Sequence, residues 1–204
     1  MRTPLRHTLT ATVAATALAL SAAPALAAPA AADRSTAAVS AGHHAQLRSL
    51  ASLSAERLAT ADLVAASKWG TDKPIDDPAR EQVVLDTVRA QAAALGADPE
   101  ATVRIFRDQI EANKLVQRGL HRLWTEDPAK APAERPDLDQ VRKEINRVTT
   151  ELVRAIAASA DARAASTCWG VLAVSALQVK VEKRLDRLHT RGLVRAVPSV
   201  CETE

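Results

Sequence analysis

The stretch VRIFRDQIEANKLVQRGLHRLW, residues 103–124, decides the fold class of this chain. Its apolar side chains recur every three or four residues, which is the spacing of one face of an α-helix. Two positions on that face are occupied by amides, Asn113 and Gln117. A buried amide without a partner costs about 1–3 kcal/mol, so these side chains must bond each other, another chain or a ligand. The stretch therefore predicts a long helix with a polar layer on its inward face.

The composition of the whole chain extends this helical prediction. Of the 204 residues, 47% are hydrophobic and only 2% are aromatic. Such a chain is poor in strand formers, and its many Ala, Leu, Arg, Gln and Glu residues favour helices. The scarcity of aromatic residues and a formal net charge of only +3 argue against a nucleic-acid interface. We predict an all-α, single-domain bundle of about five to six helices.

The first 27 residues have the pattern of a secretory signal peptide. MRTPLRH at 1–7 is positively charged, TLTATVAATALALSAA at 8–23 is apolar, and PALA at 24–27 ends in an A-x-A cleavage site. The predicted location is therefore extracytoplasmic, either secreted or periplasmic. A transmembrane anchor would need about 20 uninterrupted apolar residues, and Pro24 ends this run earlier. We therefore expect no membrane attachment after cleavage.

Export also bears on the two cysteines, Cys168 and Cys201. Disulfides form in oxidising compartments, so we predict that these residues pair, with two free buried thiols as the alternative. A bridge between them would contribute roughly 3–4 kcal/mol in the chain-entropy model. The Ala/Ser-rich residues 28–44 show no periodicity and are predicted to form a flexible leader. The folded domain is then residues 45–204.

Five helices are predicted within that domain from the apolar periodicity and the helix-terminal signals. Asp-Pro pairs at 77–78 and 98–99 are typical helix starts, and Gly70 and Gly96 are typical stops. The predicted helices span residues 45–69, 78–95, 99–124, 138–160 and 168–190, the last ended by Arg191-Gly192.

Charged side chains occupy helix faces that should be turned inward. Arg57 and Lys68 lie on the apolar seam of the first helix, eleven residues apart, which is three turns plus about 20°. Asp77 and Arg80 extend the inward stripe of the second helix, and Arg142 borders the stripe of the fourth. An ordinary helix cap followed by a surface arginine is the alternative for Asp77 and Arg80.

The polar side chains predicted to face inward, which we call the inward polar set, have an excess of positive charge. They are Arg57, Lys68, Asp77, Arg80, Asn113, Gln117 and Arg142. The set contains four cations and one carboxylate, or two carboxylates if Glu81 joins it. Burying that excess is unfavourable unless an anion neutralises it, so the pattern predicts a pocket for a small, multiply anionic ligand. A structural bundle with a register-setting polar layer is the alternative, and the unpaired cations disfavour it.

The sequence offers this pocket no nucleophile. It contains no Ser/His/Asp arrangement, no reactive thiol, no metal-ligand cluster and no Gly-rich phosphate loop. We therefore expect chemistry that needs neither metal nor cofactor, namely a rearrangement driven by positioning and electrostatics.

Four stretches resemble the exported, all-helical chorismate mutases of the AroQ class, gamma subclass. They are AERLATADLVAASKW (55–69), PIDDPARE (74–81), FRDQIEANKLVQ (106–117) and PDLDQVRKEIN (136–146). The resemblance implies the Claisen rearrangement of chorismate to prephenate, a shikimate-pathway step of aromatic amino acid biosynthesis. Chorismate is then the small-molecule partner. The resemblance also suggests a homodimer in which each active site lies inside one protomer.

The resemblance also implies a role for each residue of the inward set. Lys68 and Gln117 would donate hydrogen bonds to the ether oxygen of chorismate. Arg57 and Arg142 would clamp its two carboxylates. The catalytic residues implied by the resemblance are Lys68, Gln117 and Arg57. The remaining substrate contacts would come from Asn113 at a carboxylate and from Arg80, Asp77 and Glu81 at the ring-hydroxyl side.

The chain departs from the family pattern at three positions, of which two belong to the inward set. Val84 stands where several relatives have Gln, Gln117 where others have Glu, and Asn113 where relatives have a small hydroxyl residue. The alternative function is a non-catalytic helical module that binds a small dicarboxylate anion. Lys68 together with Gln117 discriminates between the two, because only a catalyst needs donors aimed at a bridging oxygen.

Overall fold

The computed structural model describes residues 31–201, and within that range the chain forms helices and no strand. The predicted all-α class is confirmed. The helices are α1 (Ala31–Lys68), α2 (Pro78–Ala94), α3 (Pro99–Glu126), a 3₁₀ turn (Pro128–Lys130), α4 (Leu138–Ala157), α5 (Ala160–Ala164), α6 (Cys168–Glu182) and α7 (Arg187–Ala196).

The long helix α1 is the centre of the bundle. It packs against α3, α4, α6 and α7, while α2 packs against α3 and α4. Leu47, Leu50 and Leu58 of α1 and Phe106 of α3 are completely or almost completely buried in one continuous apolar core. The core therefore fixes α1 to α3 at the level where Arg57 lies.

The helix ends near the predicted pocket follow the sequence signals. Asp77 caps α2 by accepting a hydrogen bond from the Arg80 backbone N at 3.0 Å, and Pro78 is the first helical residue. Gly70 follows α1 with a φ of +67°, a left-handed conformation that favours glycine. The end of α1 and the start of α2 are thereby brought to one side of the bundle.

The start of α1 differs from the prediction. The helix begins at Ala31, so residues 31–44 of the predicted flexible leader are helical. The reason is intrinsic propensity, because this Ala-rich stretch needs no apolar periodicity to favour the helical backbone. The predicted signal peptide, residues 1–27, lies outside the described residues.

The predicted fifth helix is two helices, α6 and α7, and with the short α5, which was not predicted, the described α-helices number seven. α6 ends at Glu182, Arg184 has a φ of +51°, and Asp186 caps α7 by accepting a hydrogen bond from the His189 backbone N at 2.8 Å. The predicted break at Arg191-Gly192 is wrong. Gly192 lies inside α7, where a Cβ atom would come within 2.8 Å of Leu58 Cδ2 and 2.9 Å of Val116 Cγ2.

The close approach at Gly192 predicts a stability loss for Gly192→Ala. Overpacking a buried contact costs about 1–3 kcal/mol, which exceeds the roughly 1 kcal/mol that alanine contributes to a helix over glycine. The matched control is Gly170→Ala in α6, where a Cβ would meet nothing within 4 Å. In urea titrations we expect Gly192→Ala to lower the free energy of unfolding and Gly170→Ala to leave it equal or higher. Equal effects of the two changes would contradict the packing argument.

The predicted disulfide is confirmed. Cys168 and Cys201 are bonded, with 5.8 Å between their Cα atoms. The bridge ties the segment after α7 to the first residue of α6. Within residues 31–201, no helix has the length and apolar character needed to cross a membrane.

His189 joins α7 to α1 through two carboxylates. Its Nε2 lies 2.9 Å from Asp62 Oδ1 and its Nδ1 lies 2.9 Å from Asp186 Oδ1. The hydrogen bond with Asp62 raises the pKa of His189 to about 9, with Asp186 adding to the effect and burial opposing it. At neutral pH the imidazolium therefore donates to both carboxylates.

This arrangement predicts a pH-dependent contribution to stability. The folded pKa lies above the unfolded value, so the stabilisation is complete below pH ~6.5 and is lost as pH rises through about 9. Because both carboxylates are more than half exposed, solvent screening reduces the contribution to about 1–2 kcal/mol. His189→Gln should lower the free energy of unfolding most near pH 6 and least near pH 10. A difference that is constant across this range would contradict the assignment.

Candidate active site

The inward polar residues predicted from the sequence surround one cavity of about 210 Å³. Its walls come from α1, α2, α3, α4 and the segment between α1 and α2. All eight predicted residues line it: Arg57, Lys68, Asp77, Arg80, Glu81, Asn113, Gln117 and Arg142. Four helices of a single protomer thus bring together side chains that are up to 85 positions apart in the sequence.

Arg57 is a buried cation at the inner wall of this cavity, only 5% exposed. Its Nη1 donates to the Gln109 carbonyl oxygen at 3.2 Å, and the guanidinium carbon lies 5.5 Å from the Phe106 ring centroid. Its Nε is buried and has no hydrogen-bond partner among the described residues. Burial lowers the pKa of Arg57 to about 10, so the group is still charged at neutral pH. No carboxylate of the described residues pairs with this guanidinium, so it can bind an anionic ligand.

Lys68, the last residue of α1, is held at the wall by the segment between α1 and α2. Its Nζ donates to the Pro74 carbonyl oxygen at 2.9 Å and to the Ile75 carbonyl oxygen at 3.4 Å. An ammonium group has three N–H donors, so one remains for a ligand. Burial lowers the pKa of Lys68, while the charges of Asp77, Asp76 and Glu81 oppose that shift.

The two amides of α3 bond each other. Gln117 Nε2 donates to Asn113 Oδ1 at 2.7 Å, one helical turn away. This leaves Gln117 Oε1 buried and without a hydrogen-bond partner in the described part of the chain. If both amides turn by 180°, Asn113 Nδ2 donates to Gln117 Oε1 and Gln117 Nε2 takes the unpartnered position. The pair can therefore present a donor to a ligand oxygen without losing its own bond.

The carboxylates of the set do not neutralise its innermost cation. Glu81 accepts hydrogen bonds from Lys114 Nζ at 3.1 and 3.3 Å, and one oxygen of Asp77 caps α2. Arg142 pairs with Asp139 at 2.7 Å, near the exposed surface of α4. No ion pair to Arg57 is formed within residues 31–201.

The cavity wall therefore carries more positive than negative charge. Its cations are Arg57, Lys68, Lys73, Arg80, Lys114 and Arg142, and its carboxylates are Asp77 and Glu81. Charge of one sign in a low-dielectric pocket attracts a ligand of the opposite sign and strengthens its binding. The chemistry of this wall suits a small ligand with more than one negative charge.

Sequence reasoning missed three polar residues of the wall, Thr60, Lys73 and Lys114. Lys114 is the most consequential, because it is buried and bonds Asp76, Glu81 and Glu111 at 2.5–3.3 Å. Burial disfavours its charge, yet the hydrogen bonds that its ammonium group donates to these carboxylates outweigh burial and raise the pKa of Lys114. Lys114 thereby fixes the start of α2 to α3. Lys114 directly follows Asn113 in the sequence, and this position could have identified it as a residue of the cavity wall. It was not selected because it does not lie on the apolar seam of α3.

The chain is similar in sequence to a family of known proteins. A family model described as chorismate mutase type II matches residues 48–118. The chain is 32% identical over 157 residues to the secreted chorismate mutase of Mycobacterium tuberculosis, which covers 77% of this chain and 79% of that protein. The chain belongs to the chorismate mutase family.

Other relatives extend the likeness over the described helices. The secreted chorismate mutase of Mycolicibacterium smegmatis is 34% identical over 152 residues, covering 74% of this chain and 84% of that protein. The crystal structure of chorismate mutase from Burkholderia thailandensis has a TM-score of 0.73 and 37% identity, covering 76% of this chain and 99% of that one. Of the eight cavity residues, only Arg142 lies outside the range matched by the chorismate mutase model.

Proposed function

We propose that this chain is an exported chorismate mutase that converts chorismate to prephenate. The observation that carries the proposal is the cavity lined by all eight residues, with its excess of positive charge and with a buried Arg57 that forms no ion pair within residues 31–201. Chorismate is a dicarboxylate that fits this chemistry. The test is loss of the ultraviolet absorbance of chorismate in the presence of the purified chain, with prephenate identified as the product.

The reaction is a unimolecular rearrangement that needs positioned hydrogen-bond donors rather than a nucleophile. The ether C–O bond breaks as a new C–C bond forms, and no proton or electron leaves the substrate. Negative charge grows on the ether oxygen in the transition state. A millionfold acceleration corresponds to about 8 kcal/mol, and one preorganised donor contributes about 3–4 kcal/mol. Lys68 and Gln117 are the two donors we assign to that oxygen.

The two substrate carboxylates are assigned to Arg57 and Arg142. Arg57 is buried and already fixed by Gln109 and Phe106, so binding an anion costs it little side-chain entropy. Arg142 is half exposed and paired with Asp139, and it would exchange that carboxylate for one of the substrate. Holding both carboxylates favours the compact conformer in which the reacting carbons lie close together.

The remaining contacts are assigned to α2 and α3. Arg80, with Asp77 and Glu81 beside it, would hold the ring-hydroxyl side of the substrate. Asn113 would contact a carboxylate and, through its bond to Gln117, set the orientation of that amide. The non-catalytic module would require a similar charge balance but would not need Gln117 to present Nε2.

The amide at position 117 predicts a pH profile. Because Gln117 is a donor at any pH, kcat should change less than about threefold between pH 5 and 8. A carboxyl group donates only when protonated, so kcat of Gln117→Glu should fall as pH rises above the pKa of the new side chain. The measurement is kcat from initial rates for both proteins in one buffer series. A steep loss for the unmodified protein across this range would contradict the role of Gln117.

The mature enzyme is proposed to comprise the chain after a signal peptide at residues 1–27 and to act outside the cytoplasm. The relatives from Mycobacterium tuberculosis and Mycolicibacterium smegmatis, both named as secreted, support this location. A homodimer is also proposed, since the family resemblance suggests one. Sedimentation equilibrium of the oxidised mature chain measures that state directly.

A further inference from the structure

The segment between α1 and α2, residues 69–77, holds Lys68 in place but has little structure of its own. Pro74 and Ile75 supply the carbonyl oxygens to which Lys68 Nζ donates. Within residues 31–201, no backbone–backbone hydrogen bond involves residues 72–76, and most of these residues are exposed. The position of the two carbonyl groups therefore depends on the side chains that attach the segment to the helices.

Asp76, which directly follows Ile75, attaches the segment to α3. Arg118 Nη2 donates to Asp76 Oδ1 at 2.5 Å, and Lys114 Nζ lies 3.3 Å from the same oxygen. Lys114 and Arg118 are four residues apart and therefore lie on one face of α3. The hydrogen bond from Arg118 lowers the pKa of Asp76, so the carboxylate is ionised at neutral pH. One carboxylate thus contacts two cations on successive turns of a single helix.

The bond between Asp76 and Arg118 also relates the two proposed donors to each other. Arg118 directly follows Gln117 in α3, and Asp76 directly follows a carbonyl group that accepts from Lys68. Lys68 and Gln117 lie on different helices, yet both are assigned to one ether oxygen. A misplacement of about 1 Å can cost ~10²-fold in rate. The reaction therefore depends on the position of one donor relative to the other.

We propose that Asp76 is a positioning residue that fixes Lys68 relative to Gln117. It acts through Arg118 on one side and through the neighbouring carbonyl groups on the other. Neither Asp76 nor Arg118 lines the active-site cavity, so neither is assigned a contact with the substrate. Both side chains are about half exposed, and an exposed ion pair adds little to stability. Removing the pair should therefore displace the donors without unfolding the chain. This inference rests on the proposed mutase function.

The test compares Asp76→Ala with the matched control Asp86→Ala. Asp86 is an exposed carboxylate of α2 that pairs with Arg89 at 2.9 Å and does not line the active-site cavity. We expect Asp76→Ala to lower kcat about tenfold and to change the affinity for chorismate less than about threefold, because the donors act mainly in the transition state. Arg118→Ala should have the same effect, since it removes the same bond. Asp86→Ala should leave kcat within about twofold, and thermal unfolding should show that all three variants fold.

A double-mutant cycle with Lys68→Ala separates positioning from a general loss of structure. If Asp76 acts through Lys68, adding Asp76→Ala to Lys68→Ala should lower kcat by no more than about twofold further. A defect in the whole cavity would lower the remaining rate about tenfold again, and this result would overturn the proposed role.

Backbone order parameters of the segment give a readout that needs no turnover. From NMR relaxation of the Lys73 and Ile75 amides, we expect lower order parameters in Asp76→Ala than in the unmodified chain or in Asp86→Ala. Unchanged order parameters, or a kcat of Asp76→Ala equal to that of the unmodified chain, would overturn the inference. Absence of turnover in the unmodified chain would instead contradict the proposed function, and with it the catalytic part of this inference. The order parameters would still show whether Asp76 fixes the segment, so the two failures are distinguishable.

Discussion

Replacing Lys68 by alanine should lower kcat for chorismate at least ~10²-fold, one of the two largest effects we expect from a single residue of the cavity. The reason is that Lys68 is a cationic donor held in place before the substrate arrives, by the Pro74 and Ile75 carbonyl oxygens. Its bond to the ether oxygen strengthens only as charge develops, so the loss should appear in kcat more than in chorismate affinity. Initial rates of prephenate formation measure kcat, and equilibrium titration measures the affinity for chorismate.

The matched control for this prediction is Lys143→Ala. Lys143 follows Arg142 on α4, is exposed, and donates to Gln140 rather than lining the cavity. The same chemical change there should leave kcat within about twofold. Thermal unfolding of Lys68→Ala checks that the segment between α1 and α2 still folds. If Lys68→Ala kept more than a tenth of the kcat with unchanged affinity, the assignment of a donor to Lys68 would be wrong.

Replacing Arg57 by methionine should abolish most activity and stabilise the fold. Removing one partner of a buried charged contact costs about 2–5 kcal/mol, so kcat/KM should fall by roughly 30-fold to 5,000-fold. The same cation is unfavourable in the free protein, because it is buried with its Nε unpartnered among the described residues. A methionine of similar length fills the space without the desolvation cost, so we expect the free energy of unfolding to rise by about 1–2 kcal/mol.

Arg147→Met is the control for that change in stability. Arg147 is an exposed arginine of α4 that pairs with Glu56, Glu144 and Glu151. Its loss should lower the free energy of unfolding by about 1 kcal/mol or less and leave kcat/KM unchanged. Chemical denaturation of both variants measures whether each substitution raises or lowers the free energy of unfolding. A clear loss of stability in Arg57→Met would mean that the protein itself, rather than the substrate, satisfies this cation.

The parts of the fold and site that sequence reasoning predicted depend on local rules. The repeat from Val103 to Trp124 places Asn113 and Gln117 on the inward face of α3, and both line the cavity. The Asp77-Pro78 pair fixes the start of α2, and with it the position of Arg80. Each of these conclusions needs only helical periodicity or a capping bond between residues close in sequence.

What sequence reasoning missed depends on contacts between distant residues. Gly192 has the local character of a helix breaker, but its role is to let α7 approach Leu58 and Val116. The bond that Lys114 of α3 donates to Glu81, 33 positions away, was not predicted, because Lys114 does not lie on the apolar seam. The start of α1 was placed too late because an Ala-rich helix shows no apolar period. None of these features has a signature within one helical turn.

The measurement that tests the central claim most directly is turnover of chorismate by the oxidised mature chain, beginning at Ala28. The absorbance of chorismate is followed with and without enzyme, and prephenate is identified in the same samples. The account predicts a rate at least ~10⁶-fold above the uncatalysed reaction, with prephenate formed in equal amount to the chorismate lost. A folded protein that binds chorismate but leaves it unchanged would contradict the account and assign the cavity to anion binding alone.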